Sequence, residues 1–255
     1  MTPHTVDAFH RGRFYLVQPA DRGHRAGLDA MLLAAAVPDG LAGRVADLGA
    51  GAGAAGLAVL ARCPNAEAML VEREADMAAF ACATLKLAEN ASLGGRANVI
   101  TADVTLRGKA RLAAGLADNC CDFAIMNPPY NDAADRSSPD ELRKAAHVMT
   151  DGLFEEWVRT AAAVVRPRGG LAIIARPATL GAILAAIESR FGSAELMAIH
   201  PRPGKAAIRI VLRAWRGQRG ALSILPPLTL HGETGNAFTP EADGAINGER
   251  SLFPR

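Results

Sequence analysis

Aromatic residues are scarce, with two Trp, two Tyr and eight Phe among 255 residues. A core with so few rings must be filled by Ala, Leu, Val and Ile, and half of the chain is apolar, a composition typical of layered α/β proteins. Cysteine is sparse as well. Cys63, Cys82, Cys120 and Cys121 show no CxxC spacing and no neighbouring histidine pattern, which excludes a zinc framework or disulfide scaffold and fits a reducing cytosol. No metal is expected, and the expected location is the cytoplasm. Long hydrophobic runs are missing: the most apolar stretch, Leu171 to Ile187, is interrupted by Arg176 and Pro177, so no membrane span is expected. The opening residues MTPHTVDAFHRGR lack the apolar core of a signal peptide. A strong charge bias is absent too, because a net charge of +2 does not by itself announce a nucleic-acid binder. The cations are unevenly spread, however. From Pro201 to Gly220 there are six (Arg202, Lys205, Arg209, Arg213, Arg216 and Arg219) and no acid.

What is present reads as strands alternating with helices. Residues 7–19 alternate weakly around Gly12 and predict a hairpin. The apolar run Ala30 to Val37 predicts a helix closed by Pro38 and Gly40, with Asp29 placed to cap it or to meet a ligand. From Arg44 the string RVADLGAGAGAAG predicts a short strand, a glycine-rich turn and the Ala-rich helix Ala54 to Arg62. Glycines 49, 51 and 53 allow a sharp turn and close approach of a ligand to free helix amides. Gly51, Gly53 and Gly56 also satisfy GxGxxG, so the turn alone fits either a nicotinamide cofactor or S-adenosylmethionine.

Three further strands follow, Ala68 to Val71 ending in Glu72, Asn98 to Thr101 before Asp103, and Asp122 to Met126 ending in Asn127. Helical runs Asp76 to Glu89 and, more loosely, Lys109 to Leu116 separate them. Asp47, Glu72, Asp103 and Asn127 therefore follow four successive strands at their carboxyl ends, where ligands bind in an open α/β sheet. Glu72 can accept from ribose hydroxyls and Asp103 from an adenine amine. Asp47 breaks the tie between cofactors, since an acid there repels a pyrophosphate but suits the sulfonium and amino group of S-adenosylmethionine.

Beyond this come a polar stretch, Asn131 to Thr150, a helix Leu153 to Val165, a fifth strand Leu171 to Ala175, and a helix from Pro177 to Arg190. The polar stretch carries Arg136, Arg143, Lys144 and His147, and reads as a substrate flap or a solvated surface loop. Leu196 to Ile199 and Ile208 to Leu212 predict two more strands, joined by a link too short for a crossover helix, so the last runs antiparallel. One domain is expected: a hairpin and helix over 1–43, a core over 44–219, and an extension of that core over 220–255.

The central stretch is CDFAIMNPPY, residues 121–130. Two consecutive prolines end the strand and stiffen the lip that follows. Asn127 offers a side-chain carbonyl and Pro128 a backbone carbonyl, two acceptors for the hydrogens of an amine whose lone pair is delocalised. Pro129 holds the lip, and Tyr130 supplies a flat face for a planar group. This string resembles the catalytic motif of the S-adenosylmethionine-dependent amino-group methyltransferases. No general base is needed for that chemistry, because a methylated amine sheds its proton to water.

Over roughly residues 10 to 245 the sequence resembles the bacterial tRNA adenine methyltransferases that modify the exocyclic amine of the adenine beside the anticodon of a valine tRNA. The shared features are Gln18-Pro19, GHRAGLDAMLLA, DLGAGAG, NPPY, the AIRIVLRA strand and PPLTLH. The resemblance implies a Rossmann-like class I α/β fold, a mostly parallel seven-stranded sheet with a terminal antiparallel strand. It implies Asn127, Pro128, Pro129 and Tyr130 at the target amine. For S-adenosylmethionine it implies Asp47, Gly49, Ala50, Gly51, Gly53, Glu72, Arg73, Asp103, Val104 and Asn127, with Arg25 and Asp29 approaching from the other side. Structured RNA is the implied partner, and Arg136, Arg143, Lys144, Arg202 and Lys205 are the candidates to touch it. Relatives usually have an aromatic where His24 or Ala26 stands.

Other readings stay open at this level. Within the class these are glutamine-amide methylation of a translation factor, whose enzymes usually carry an amino-terminal helical domain not expected before Arg44, and guanine-amine methylation of rRNA. Outside it lie an RNA-binding module with a relic pocket and an NAD-dependent dehydrogenase, the latter leaving Asp47 and NPPY unexplained.

Overall fold

The computed structural model describes residues 3–20, 26–129 and 139–253, with only the backbone described for 139–151. An antiparallel hairpin comes first, β1 (His4–Phe9) and β2 (Phe14–Pro19), with Arg11 and Gly12 turning it at positive φ. Then follow α1 (Leu28–Ala35), β3 (Gly43–Leu48), α2 (Ala54–Arg62), β4 (Ala66–Glu72), α3 (Ala75–Leu85), α4 (Ala91–Gly94) and β5 (Ala97–Thr101). The second half comprises α5 (Gly108–Ala113), β6 (Cys121–Met126), α6 (Pro139–Val164), β7 (Val165–Ala175), α7 (Leu180–Ile187), β8 (Phe191–His200) and β9 (Arg209–Arg216). The chain closes with β10 (Ser223–Ile224), β11 (Leu228–Thr229) and α8 (Pro240–Ile246).

Strand order in the main sheet is β10-β8-β9-β7-β6-β3-β4-β5, with β11 also pairing β8. The chain starts in β3, steps outward through β4 to β5, and returns on the other side as β6. That reversal opens a crevice between the carboxyl ends of β3 and β6, the place where open α/β sheets bind ligands. Strands β3 to β7 are mutually parallel, and all of them except the edge strand β5 have their central residues buried on both faces. Val45, Leu70, Phe123 and Ile125 join α1, α2, α8 and the hairpin on one side, while Ala46, Leu48, Met69 and Met126 join α6 and α7 on the other.

Four expectations need correction. The antiparallel strand is present as expected, as β9, but it lies inside the sheet, between β7 and β8, and among the described residues the sheet has nine strands because the tail adds β10 and β11. The stretch expected as loop up to Thr150 is helical from Pro139, since Pro-Asp-Glu matches a helix start: proline fits the first turn and acids favour its positive end. Asp29 does not cap α1, whose N-cap residue is Gly27, without a side-chain cap; its carboxylate instead meets Arg209. The tail holds a helix not expected from the sequence, α8, with Pro240 at its start and Thr239 Oγ1 accepting from the Ala242 amide at 3.2 Å. It packs with Leu252 and Phe253 in the same cluster as Leu33, and the Leu252 amide donates to the Ala35 carbonyl.

The hairpin is held by buried polar groups. Asn90 bonds both the amide and carbonyl of Tyr15, and Thr84 Oγ1 accepts from the Val17 amide at 2.9 Å. Gln18, 2% exposed, takes the Ala26 amide on Oε1 and donates to Asp7. The chain leading into α1 is thereby fixed against β2, which sets one wall of the crevice.

Candidate functional site

A cavity of about 880 Å³ occupies the crevice, near the upper end of the range for small-molecule sites. Its floor is the glycine turn. Gly49, Gly51 and Gly53 all have left-handed φ (75°, 56° and 92°), a region in which side chains are strained. The Gly49 and Ala50 amides both donate to the Val71 carbonyl, bending the loop over β4. A Cβ on Gly49 would lie 2.5 Å from the Trp157 ring, so the turn has space for a ligand only on its open side.

The strand tips converge as the order of the strands requires. Asp47 is the penultimate residue of β3, is 3% exposed, and accepts the Gly56 amide on Oδ2 at 2.8 Å. Burial pushes its carboxyl up to about 7, with the Glu72 charge adding to the rise and the Gly56 hydrogen bond opposing it. Glu72 ends β4 and accepts the Gly51 amide on one oxygen and the Glu74 amide on the other, both at 2.8 Å. Asp103 follows β5, takes the amide and hydroxyl of Thr105 on Oδ1, and lies 3.8 Å from Arg73, which also pairs with Glu74. Each carboxylate oxygen has two acceptor directions, so backbone donors orient these groups and still leave them able to receive a ligand.

Asn127 differs. It directly follows β6, lines the cavity, and its Oδ1 is buried with no hydrogen-bond partner among the described residues. A buried amide oxygen without a donor costs about 1–3 kcal/mol, which points to a donor that a bound molecule brings. Pro128 is buried and Pro129 exposed beside it, both in the cavity wall.

The structure thus brings together Asp29, Asp47, Gly49, Ala50, Gly51, Glu72, Arg73, Asp103, Val104, Asn127, Pro128 and Pro129 around one cavity. Gly53 stands behind its wall, starting α2. Arg25, Tyr130 and Arg136 lie outside the described residues, as do the side chains of Arg143, Lys144 and His147. Arg202 is engaged within the fold, its guanidinium bonding the carbonyls of Gly232 and Gly235 and the side chain of Asn236. Lys205 is exposed on the β8–β9 connection.

The cavity residues not expected from the sequence include Trp157, Arg176 and Arg209. Trp157 sits with Phe154, Val158 and Ala161 on the buried face of α6, a helical spacing visible in the sequence. Arg176 follows the fifth strand, so the rule that selects Asp47 and Asn127 also selects it. Arg209 was one of six cations in a row, and only pairing shows which of them reaches the crevice. Among the described residues, no group of three or more His, Cys, Asp or Glu could hold a metal ion, and no helix is long and apolar enough to cross a membrane.

Comparison with known proteins agrees with this geometry. A family model described as "Methyltransferase small domain" matches residues 25–202. A solved structure from Agrobacterium tumefaciens, described as a predicted O-methyltransferase, is 45% identical, with a TM-score of 0.77 over 88% of this chain and 98% of that one. TYW2 of M. jannaschii, solved with AdoMet, shares the fold at 12% identity and a TM-score of 0.55, covering 84% of this chain and 86% of that one. A 16S rRNA N2 methyltransferase of T. thermophilus, solved with AdoMet and guanosine, shares it at 20% identity and a TM-score of 0.53, covering 84% of this chain and 50% of that one. The search of curated proteins returned no match.

Proposed function

The chain belongs to the methyltransferase small domain family and is an S-adenosylmethionine-dependent methyltransferase; we propose that its acceptor is the exocyclic amine of adenine in RNA, in a tRNA near the anticodon. The observation that carries this is the partnerless Asn127 Oδ1 at the switch point of the sheet, beside the glycine turn.

The residues fit the cofactor. S-adenosylmethionine supplies an electrophilic methyl group on a positively charged sulfur. The acid end of the cavity, Asp47, Glu72 and Asp103, suits its cationic and hydroxyl-bearing parts, and the left-handed glycines let it approach the backbone. Asn127 Oδ1, together with the Pro128 carbonyl, accepts from the amine and helps localise its lone pair. Catalysis then rests on positioning and aligned dipoles.

The Agrobacterium relative raises the question of oxygen as the acceptor. Methylating a hydroxyl requires a group that removes its proton as the bond forms. The described wall contains no His, Lys or Cys, and the carboxylates of Asp29 and Glu74 are held in ion pairs with Arg209 and Arg73. An amine needs no such base.

The test is mass spectrometry of tRNA and rRNA nucleosides, and of translation-factor peptides, from cells with and without the gene. Loss of one methyladenosine is expected. Unchanged methyladenosine, with loss appearing instead in a methylguanosine of rRNA or a methylated glutamine, rejects adenine as the target. Equal RNA affinity of wild type and Asn127→Ala, with transfer lost only in the variant, separates an enzyme from a binding module with a relic pocket.

A further inference from the structure

We propose that Arg176 and Arg209 form a seat for a phosphate of the substrate strand, at the end of the cavity opposite the cofactor's acids; the inference rests on the RNA reading above.

Placement carries the argument. β7 lies next to β6, whose tip is Asn127, and β9 lies next to β7. The antiparallel register pairs Ala175 with Ile210, and its next step sets residues 176 and 209 opposite each other. Opposed residues on neighbouring strands project to the same face, and both arginines line the cavity. Their strands stand one and two spacings from the Asn127 strand, about 5 and 10 Å. A nucleotide whose amine meets Asn127 extends its sugar and phosphate over a span of that order.

Charge is divided along the cavity. Asp47, Glu72, Glu74 and Asp103 gather at the tips of β3, β4 and β5, with Arg73 among them. Among the described lining residues, the other end has two guanidiniums and one carboxylate, Asp29. That carboxylate orients a cation: its Oδ2 holds Arg209 Nε at 2.8 Å, and the Ile208 carbonyl accepts from Arg209 at 2.9 Å, fixing the plane of the guanidinium. A planar cation held in one orientation matches the geometry of a phosphate. Arg176 is exposed at the mouth and Arg209 half-buried behind it, an order suited to a strand entering from solvent. With a net charge of only +2, long-range steering is weak, so local cations must do the positioning.

The experiment uses bulk tRNA from a strain lacking the gene, with wild type, Arg176→Ala, Arg209→Gln and the double variant. Binding is measured over a salt series, together with methyl transfer, thermal melting and calorimetric S-adenosylmethionine affinity. Each single variant is expected to raise KM for tRNA about 3- to 10-fold and to lower the salt slope of binding by about 0.7, one phosphate contact on a single strand. The double variant, which loses the same single phosphate contact, should also lower it by about 0.7, while S-adenosylmethionine affinity stays level. Arg209→Gln leaves Asp29 without its partner and can disturb α1, but Arg176 is exposed, so its variant decides the matter if the other melts early. Unchanged slopes overturn the proposal. So does weakened S-adenosylmethionine binding with unchanged slopes, which assigns the arginines to the cofactor's carboxylate. If wild type puts no methyl on RNA, the adenine reading falls by itself, and the salt slopes still decide whether the seat exists.

Discussion

The two ends of the cavity are built on different principles. At the tips of β3, β4 and β5 the carboxylates of Asp47, Glu72 and Asp103 each already hold a backbone amide, so that end is pre-organised and needs no ligand to satisfy it. At the tips of β6, β7 and β9 the amide oxygen of Asn127 has no partner among the described residues, and Arg209 takes its orientation from the Asp29 side chain. A cofactor used in every turnover favours a rigid pocket. An acceptor that must enter, react and leave favours groups whose hydrogen bonds are completed only by the reacting molecule.

The sharpest way to break this contrast is Asn127→Ala. We expect kcat to fall on the order of 10²- to 10³-fold, the cost of removing one oriented polar group from such a site, with S-adenosylmethionine binding nearly unchanged by calorimetry. Equal loss of both would assign Asn127 to the cofactor end. Gly49→Ala should act the other way. A methyl 2.5 Å from Trp157 at a φ of 75° should cost about 2 kcal/mol of stability and weaken cofactor binding, read as a lower Tm and a higher Kd.

Asp47 offers a pH test confined to the rigid end. Its carboxyl titrates near 7 in the folded chain, so a cationic ligand, which favours the ionised form, binds more tightly as pH rises from 6 to 8. The gain is at most about tenfold, following the ionised fraction, and Asp47→Asn should flatten it. Stability runs oppositely. The folded state holds this proton more tightly than the unfolded chain, so raising pH from the ordinary carboxylate value of 3.8 through about 7 costs stability that the Asn variant does not lose. The smallest effect belongs to Lys205→Ala: on an exposed turn outside the cavity lining, it should change tRNA affinity by less than about twofold at physiological salt. A larger change would move the substrate path onto the β8–β9 connection.

The basic run from Pro201 to Gly220 shows where reading a sequence stops. It looks like a stripe for RNA, yet Arg202 bonds the tail, Arg213 pairs with Glu195 and stacks over Phe253, and Arg216 bonds Asn119 and the Val165 carbonyl. A run of like charges says nothing about partners brought in from distant parts of the chain. Pro139-Asp140-Glu141 misleads for a different reason: polarity suggests a loop although the order of residues matches a helix start.

Local chemistry alone determined the glycine turn, the proline-stiffened lip and the acids at successive strand ends, because backbone freedom and strand periodicity are properties of neighbouring residues. Tertiary structure decided which cations reach the cavity, that Trp157 lies under Gly49, and that Asn127 and Asp47 stand on either side of the point where strand order reverses. Those facts depend on contacts between residues tens to hundreds of positions apart, which close packing selects and no short window of sequence contains.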